Sequence, residues 1–378
     1  MRESRPSNMF GELPHNAPAT LPRLAFVIGF DDIRQSSNLT QVGVRHRVRR
    51  YPPIALSQSV EITSGGHGVV PAPPARMTQP RFVLPGDTVM ITRRTLRRHH
   101  LFRPDPAIRQ LYLYTLAVCA NRFGILVHAV TLMSTHEHLI VTDTKGQFPL
   151  FLRELHRLVS LGTKVLRKWE GPTWDHEQTS VVRLLTDQAI VEKLAYVMVN
   201  PVQAGLVRHA REWPGITVLP QELGRRTWTL SRPDAYFRAD NPQWPERVEL
   251  SLTLPPGLAE RYVAQEVREA VGDELERQER RAHQEIRKRG WRFLGAERVR
   301  RLSPYRRATS FELLRDRNPT FAVGRGQKRV FFQVVAELRA FRRAYRDALE
   351  QWRAGLRSVV FPQGTWCMRQ VHGVVVQT

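Results

Sequence analysis

The ten residues LMSTHEHLIV at positions 132–141 decide how the fold of this chain is interpreted, because they are typical of a β-strand that carries two histidines. Side chains at i and i+2 of a strand point to the same face of the sheet, so His136 and His138 are predicted to lie side by side. Two imidazoles so placed can bind a metal ion. Without further context, packed or surface histidines on a strand are the commoner case, and the rest of the chain must decide.

A second segment supplies side chains for such a site. The run from Asp187 to Val199 has helical periodicity, and Glu192, Tyr196 and Asn200 follow at intervals of four residues. One helical face therefore presents a phenol beside a carboxamide. Each residue also has a plainer interpretation: Tyr196 as a core aromatic, Asn200 before a proline as a helix-terminating residue, and Glu192 as a solvated carboxylate. For Glu192 we favour the plainer interpretation.

Together these segments resemble the single-tyrosine HUH transposases, and specifically their branch of REP-associated tyrosine transposases. The resemblance rests on Met-Ser-x-His-x-His-Leu at 133–139, on Tyr-x-x-x-Asn-Pro-Val-x-Ala-Gly-Leu-Val at 196–207, and on their order and spacing. A weaker match is PGDTVMITRR at 85–94, which is similar to the first strand of the family. The resemblance covers about residues 80–220 of the 378.

The resemblance implies a chemistry. In that family a tyrosine hydroxyl attacks a DNA phosphodiester, forming a 5′-phosphotyrosine and freeing a 3′-hydroxyl, while a divalent metal ion polarises the phosphate. It implies Tyr196 as nucleophile, His136 and His138 as metal ligands and Asn200 as a third ligand. Two imidazoles and one oxygen suit Mn²⁺ or another borderline ion, and Mg²⁺ with water and phosphate oxygens remains an alternative. The implied partner is single-stranded DNA, often with a hairpin.

One position departs from the family pattern. The residue between the two histidines is normally hydrophobic in the family, and here it is Glu137. Strand geometry places Glu137 on the face opposite the histidines, where a carboxylate must reach solvent or a basic partner. The departure removes no ligand, and it bears on activity more than on fold.

The charge of the chain predicts binding to polyanions. It has 58 Lys and Arg against 35 Asp and Glu, a formal net charge of +23, and a pI near 11.2. Arginine clusters lie at 45–50, 93–98 and 298–307, and the guanidinium fork suits phosphate. The second cluster is the best placed, because it follows the presumed first strand. Its members are predicted to contact nucleic acid: Arg93, Arg94, Arg97 and Arg98.

Cysteine usage and hydropathy indicate an intracellular protein. Cys119 and Cys367 are the two cysteines, and neither a zinc-binding spacing nor a disulfide framework is present. The apolar stretch at 21–30 is too short to cross a bilayer and lacks a cleavage signature. With DNA as the partner, we expect a cytoplasmic, nucleoid-associated protein with no membrane partner.

The order of predicted elements defines an α+β fold. A strand at 89–92, a helix at 106–123, strands at 125–133 and 137–143, a helix at 150–169, a short strand pair at 175–185 and the Tyr196 helix follow one another. The order β, α, β, β, α, β, α is that of a ferredoxin-like antiparallel sheet with helices on one face, and the resemblance implies the same fold. Whether the Tyr196 helix comes from the same subunit or from a partner in a homodimer stays open.

Four regions are predicted along the chain. Residues 1–78 form a disordered or linker region, 79–220 a catalytic domain, 221–256 a Pro-rich linker and 257–378 a mainly helical, basic C-terminal extension. Within the extension, apolar stripes predict helices at 259–289 and 327–357, and such stripes are mostly core or partner contacts.

Three functions are compatible with the sequence. The leading hypothesis is metal-dependent cleavage and strand transfer of single-stranded DNA by the residues named above. The second is a domesticated DNA-binding protein that keeps the fold and has lost or altered cleavage, which Glu137 and the basic extension motivate. The third is a basic RNA-binding structural protein whose histidine pair is incidental.

Overall fold

The computed structural model describes residues 80–176, 179–309 and 319–377. The predicted disordered or linker region at 1–78, with its arginine cluster at 45–50, lies outside the described residues. All that follows concerns the described ranges.

An α+β unit between residues 88 and 203 has the predicted order of elements. Its strands are β1 (Thr88–Arg94), β2 (Ile125–Leu132), β3 (His136–Asp143) and β4 (Ser180–Leu184). Its helices are α1 (Pro106–Phe123), α2 (Phe148–Arg167) and α3 (Asp187–Gln203). The strand pair expected at 175–185 is one strand, β4, in the part that the structure describes.

These four strands belong to a five-stranded sheet with the order β2-β3-β1-β4-β7, in which the edge strand β7 (Phe321–Ala322) comes from the C-terminal region. The pairs β2–β3, β3–β1 and β1–β4 are antiparallel, whereas β4 and β7 are parallel. The predicted α+β class is confirmed, with a sheet that is mixed at one edge. β3 is an interior strand, as expected for the histidine pair.

Helices cover both faces of this sheet. On one face, α1 and α2 reach Glu137 through Tyr112 and His156. On the other face, α3 reaches His136 through Asn200. The sequence predicts helices on one face of the sheet. The structure has α1 and α2 on that face and adds α3 on the other. Because both faces are covered, every residue of β3 is buried, which explains its run of apolar side chains between the polar ones.

Helix α3 extends further than its sequence predicts. The Thr186 side chain accepts a hydrogen bond from the Ala189 amide and caps its first turn. The helix then continues through Pro201 to Gln203, so Asn200 lies inside it and does not terminate it. A proline in the last turn removes one amide donor near the helix end, where tertiary packing compensates for the loss.

The region predicted as a Pro-rich linker is folded. It contains the antiparallel pair β5 (Thr227–Ser231) and β6 (Arg247–Ser251). Trp228 and Leu250 alternate with exposed neighbours and are buried. The Tyr114 hydroxyl of α1 donates to the Pro245 carbonyl at 2.7 Å, so this pair is fixed against the α+β unit.

The C-terminal region is mainly helical, as predicted. Its helices are α4 (Pro256–Ala259), α5 (Ala264–Lys288), α6 (Ala296–Arg301), α7 (Lys328–Arg353) and α8 (Cys367–His372). Gln278 of α5 donates to the Glu192 carbonyl of α3 at 3.1 Å, and Phe341 of α7 packs edge-on against Phe82 with ring centroids 4.8 Å apart. These contacts attach the region to the α+β unit.

Within the described ranges, every helix is too short or too polar to cross a bilayer. Cys119 is buried and Cys367 is exposed, and neither forms a disulfide.

Candidate active site

The histidine pair lies on the face of β3 that α3 covers. The two ring centroids are 4.8 Å apart and the ring planes are nearly perpendicular, at 88°. His136 is 7% exposed and His138 is 2% exposed. The strand alternation places both rings on this face, as the sequence predicts, and the helix above them keeps them from solvent.

A threonine hydroxyl contacts the Nδ1 atom of each imidazole. Thr135 Oγ1 lies 2.9 Å from His136 Nδ1, and Thr92 Oγ1 lies 2.8 Å from His138 Nδ1. A hydroxyl can accept a hydrogen bond from a protonated Nδ1. In that tautomer each Nε2 keeps its lone pair, and the threonine fixes the orientation of the ring.

The Nε2 atoms lie beside the carboxamide of Asn200. His136 Nε2 is 3.1 Å from Asn200 Oδ1. His138 Nε2 and Asn200 Nδ2 are buried beside each other and form no hydrogen bond of ordinary geometry within the described part of the chain. A buried polar atom left without a partner costs about 1–3 kcal/mol. Two such atoms at one place are typical of a site that a ligand completes.

These residues fit a divalent metal ion. Both Nδ1 atoms are held, one Nε2 is without a partner and a carboxamide oxygen lies beside the other, which is a nitrogen and oxygen donor set for a borderline ion. Ligation at His136 Nε2 requires the tautomer protonated at Nδ1, in which Nε2 and Asn200 Oδ1 are both acceptors and form no hydrogen bond with each other. Among the residues that the structure covers, no group of three or more His, Cys, Asp or Glu side chains has metal-binding geometry.

Tyr196 reaches this site from the same chain. Its ring centroid lies 5.6 Å from that of His138, with the planes at 82°. The side chain is 8% exposed and packs in the core beneath α3. Because Tyr196 and Asn200 are one helical turn apart, α3 delivers the phenol and the carboxamide together.

Lys193, which the sequence interpretation missed, adds a cation beside the phenol. Its Nζ lies 5.1 Å from the centroid of the Tyr196 ring. Burial lowers the pKa of Lys193 from its ordinary value of 10.5, while the charge of Glu192 raises it. The sequence could have identified Lys193 by its position three residues before Tyr196, because this spacing places both side chains on one helical face.

The site has a positive electrostatic environment. Burial lowers the pKa of His138 well below its ordinary value of 6.5, and the nearby His136, Arg94 and Lys193 lower it further, while the Asn200 side chain raises it. His138 is therefore neutral at pH 7, which is the state that binds a metal ion. A positive pocket around the neutral His138 is suited to a phosphate anion.

Arg94 is the one arginine of the 93–98 cluster that lies next to the histidines. It stands opposite His136 in the β1–β3 register. Arg93 stands opposite Glu137 and therefore points to the other face, with its guanidinium carbon 5.0 Å from the centroid of the Trp174 ring. The structure thus separates two neighbours that the sequence grouped together, because a strand alternates its faces.

Arg97 and Arg98 lie in a short 3-10 turn, Leu96–Arg98, that follows β1. Both have positive φ, at 47° and 55°. The Arg97 amide donates to Asp175 Oδ2 at 3.0 Å, and the Arg97 side chain is exposed. Contact of these two arginines with nucleic acid stays a prediction.

Glu137 has partners on the face opposite the histidines. Its carboxylate accepts a 2.7 Å hydrogen bond from the Tyr112 hydroxyl and a second, short one from His156 Nε2. Its side chain is 0% exposed. The expected need for solvent or a basic partner is met by His156 and, at longer range, by the charge of Arg93.

Glu192 is engaged outside the histidine site. Its Oε1 atom accepts hydrogen bonds from Gln188 Nε2 at 2.9 Å and from Arg325 Nε at 3.0 Å. Glu192 is therefore not the solvated carboxylate that the sequence suggests, because its partner is an arginine and its side chain is only 16% exposed.

Two further residues of the site, Thr92 and Thr135, escaped the sequence interpretation. Thr135 belongs to the same motif as the histidines, and its signal was the hydroxyl directly before His136. Thr92 becomes a neighbour of His138 only through the β1–β3 register. A pairing between strands more than 40 residues apart in the chain has no local signal.

No protein-family model matches this chain, and no curated protein matches it. Among solved structures, it is similar to a REP-associated tyrosine transposase bound to a REP hairpin, with 18% identity and a TM-score of 0.33, over 44% of this chain and 96% of that one. It is also similar to a candidate transposase from Deinococcus radiodurans R1, with 15% identity and a TM-score of 0.24, over 33% of this chain and 95% of that one. Both similarities involve less than half of this chain.

Proposed function

We propose that this protein cleaves single-stranded DNA and transfers the cut strand through a covalent tyrosine intermediate. The observation that carries the proposal is the approach of a tyrosine ring, 5.6 Å between centroids, to a buried histidine that lies beside a second histidine and Asn200. A phenol, two imidazoles and a cation at one buried point are the groups that nucleophilic attack on a phosphodiester needs.

Each residue has a role in this proposal. The Tyr196 oxygen attacks the phosphorus atom, the bond from phosphorus to the 3′-oxygen breaks, and that oxygen takes up a proton to leave as a 3′-hydroxyl. The 5′ end stays on Tyr196 until another 3′-hydroxyl attacks and regenerates the phenol. Lys193 and Arg94 stabilise the negative charge of the phosphate and of the phenolate.

His136, His138 and Asn200 would hold a divalent metal ion, Mn²⁺ or Mg²⁺. When bound, such an ion polarises the scissile phosphate as a Lewis acid. Thr135 and Thr92 keep the two rings oriented for ligation through Nε2. This role of the threonines is independent of which of the two ions is bound.

A covalent-adduct assay tests the proposal. Wild type and Tyr196→Phe are incubated with a labelled single-stranded DNA hairpin carrying flanking single strands, in Mn²⁺ or Mg²⁺, and separated under denaturing conditions. We expect a labelled protein band with wild type and none with Tyr196→Phe. Tyr114→Phe, which removes another buried phenol, is the matched control and should retain the band.

The alternative is a DNA-binding protein without cleavage, which Glu137 motivated. Its carboxylate has two hydrogen-bond partners and faces away from the histidines, so it leaves the site geometry intact. Tight binding of the hairpin without any adduct in either metal would favour this alternative over our proposal. Preference for RNA over DNA would favour the RNA-binding protein.

A further inference from the structure

The outer face of α7 carries a row of arginines. The helix is attached to the rest of the protein through its inner face, where Val334 and Phe341 are buried. Arg339, Arg343 and Arg346 follow at i, i+4 and i+7, so they fall in one stripe on the opposite side. All three are exposed. The row lies outside the proposed active site.

The packing of α7 holds this row in a fixed position. Phe341 contacts Phe82, with ring centroids 4.8 Å apart, and Tyr345 contacts Phe361, with centroids 5.6 Å apart. These aromatic contacts join the helix to segments before β1 and after α7. The arginine side chains are therefore presented from a rigid support.

Within the described residues the arginines of this row form no ion pair, whereas several other exposed arginines do. Arg238 pairs with Asp240 at 2.9 Å, Arg280 with Glu276 at 3.3 Å and Arg301 with Glu297 at 3.0 Å. Across the described ranges, no carboxylate forms an ion pair with any of the three α7 arginines. Asp347 and Glu350 follow Arg343 and Arg346 at i+4 on the same helix and do not pair with them. The three arginines outnumber these two carboxylates, so the face keeps a positive charge that attracts a polyanion.

We propose that Arg339, Arg343 and Arg346 bind the phosphate backbone of double-stranded DNA. The proposal rests on the proposed function in one respect, that DNA is the partner. A convex helix face fits the surface of a duplex, whereas single strands are bound in grooves lined by aromatic side chains. The row spans about 10 Å along the helix, at 1.5 Å per residue, and arginine forks suit phosphate oxygens.

The test compares two triple variants of the full chain that remove the same charge. The first is Arg339→Gln with Arg343→Gln and Arg346→Gln, and the control is Arg238→Gln with Arg280→Gln and Arg301→Gln. Affinity for a duplex of arbitrary sequence is measured between 50 and 200 mM salt, with EDTA to prevent cleavage. The salt slope is the decrease of log affinity with log salt concentration, and each lost phosphate contact reduces it by about 0.9. From 50 to 200 mM salt, the factor by which affinity falls should therefore be about 40 times smaller for the first variant than for wild type.

The expected result is this change in the first variant and a wild-type slope in the control. A third variant with Lys at the three α7 positions should keep the wild-type slope, since charge is retained. Equal changes in the two Gln variants would overturn the proposal, because net charge alone would then explain binding. So would an equal loss of affinity for single strands and duplex. Circular dichroism establishes that the variants are folded.

The cleavage proposal is tested separately with the same proteins. On a short single-stranded substrate, the α7 variant should form the covalent adduct as wild type does. If wild type forms no adduct but the salt slope still changes only in the α7 variant, the cleavage proposal fails and the duplex-binding surface stands. If the adduct forms normally and the salt slope of the α7 variant is unchanged, the duplex-binding proposal fails and the cleavage proposal stands.

Discussion

The hydroxyl of Tyr112 donates a 2.7 Å hydrogen bond to Glu137 at a point where neither side chain reaches solvent. Burial and the nearby carboxylate charge raise the pKa of Tyr112 well above 10, so it stays a donor. Glu137 lies between the two histidines in the chain, and its bond to α1 fixes the strand that carries them. On the opposite face of this strand lie His136 and His138, the proposed metal ligands.

Removing this carboxylate should destabilise the protein strongly. Glu137→Ala leaves Tyr112 and His156 without their buried partner, and breaking a buried charged network from one side costs about 3–5 kcal/mol. The free energy of unfolding in urea measures this loss. Glu154→Ala is the control, because its carboxylate pairs with Arg157 near the surface and its loss should cost at most about 1 kcal/mol. Equal losses for the two variants would contradict the prediction.

Thr92→Val should weaken metal binding while the ligands stay in place. The change removes the hydroxyl 2.8 Å from His138 Nδ1, so the ring loses the partner that fixes its tautomer. Loss of such a partner typically lowers metal affinity about 10- to 100-fold. Calorimetric titration with Mn²⁺ measures it. Thr88→Val removes a hydroxyl four residues away on β1, about 13 Å along the strand, and should bind Mn²⁺ as wild type does.

Lys193→Gln should slow formation of the covalent adduct. The variant removes the cation 5.1 Å from the Tyr196 ring, which favours the phenolate and the charge that develops on the phosphate. We expect the single-turnover rate at neutral pH to fall about 100-fold, with part of the loss recovered at higher pH. The exposed Lys145→Gln serves as the control. An unchanged rate in Lys193→Gln would exclude a role for this lysine.

His128 should make the protein less stable at acidic pH. Its Nδ1 donates to the Thr253 carbonyl at 2.8 Å, its Nε2 lies 2.7 Å from Thr142 Oγ1, and burial lowers its pKa to about 4. In the unfolded chain a histidine titrates near 6.5, so as the pH falls the unfolded state binds the proton first. The contribution is complete above pH 6.5 and is lost progressively towards pH 4, by about 3 kcal/mol.

Unfolding measured at pH 7 and at pH 4.5 checks this dependence. His128→Gln should lose less stability between the two pH values than wild type, because the group that titrates is gone. His372→Gln, at an exposed position, should keep the wild-type dependence. If wild type and His128→Gln have parallel pH profiles, another group is responsible.

The elements with strong local signals could be predicted from the sequence. Helix α1 has the predicted bounds, because the Asp105 side chain caps its first turn and Gly124, at φ 67°, ends it. Strand alternation correctly placed His136 and His138 on one face and Glu137 on the other. Helical spacing correctly placed Tyr196 and Asn200 on one side of α3.

Features that depend on distant parts of the chain could not be predicted. The 221–256 segment has a composition typical of a linker, and its two strands are stabilised by burial of Trp228 and Leu250 and by the hydrogen bond from Tyr114. Thr92 joins the site through strand register. β7 is two residues long, and a strand so short exists only because β4 is there to pair with it.

That short strand also determines how the sheet ends. The Arg183 amide donates to the Thr320 carbonyl at 3.0 Å, and the Leu185 amide donates to the Ala322 carbonyl at 3.0 Å. A fragment that stops at residue 220 would leave these backbone groups of β4 open, and an open edge is a template on which a second molecule can add a strand. Self-association of such a fragment would then be a product of the cut, and binding studies on this protein are best made with the C-terminal region retained.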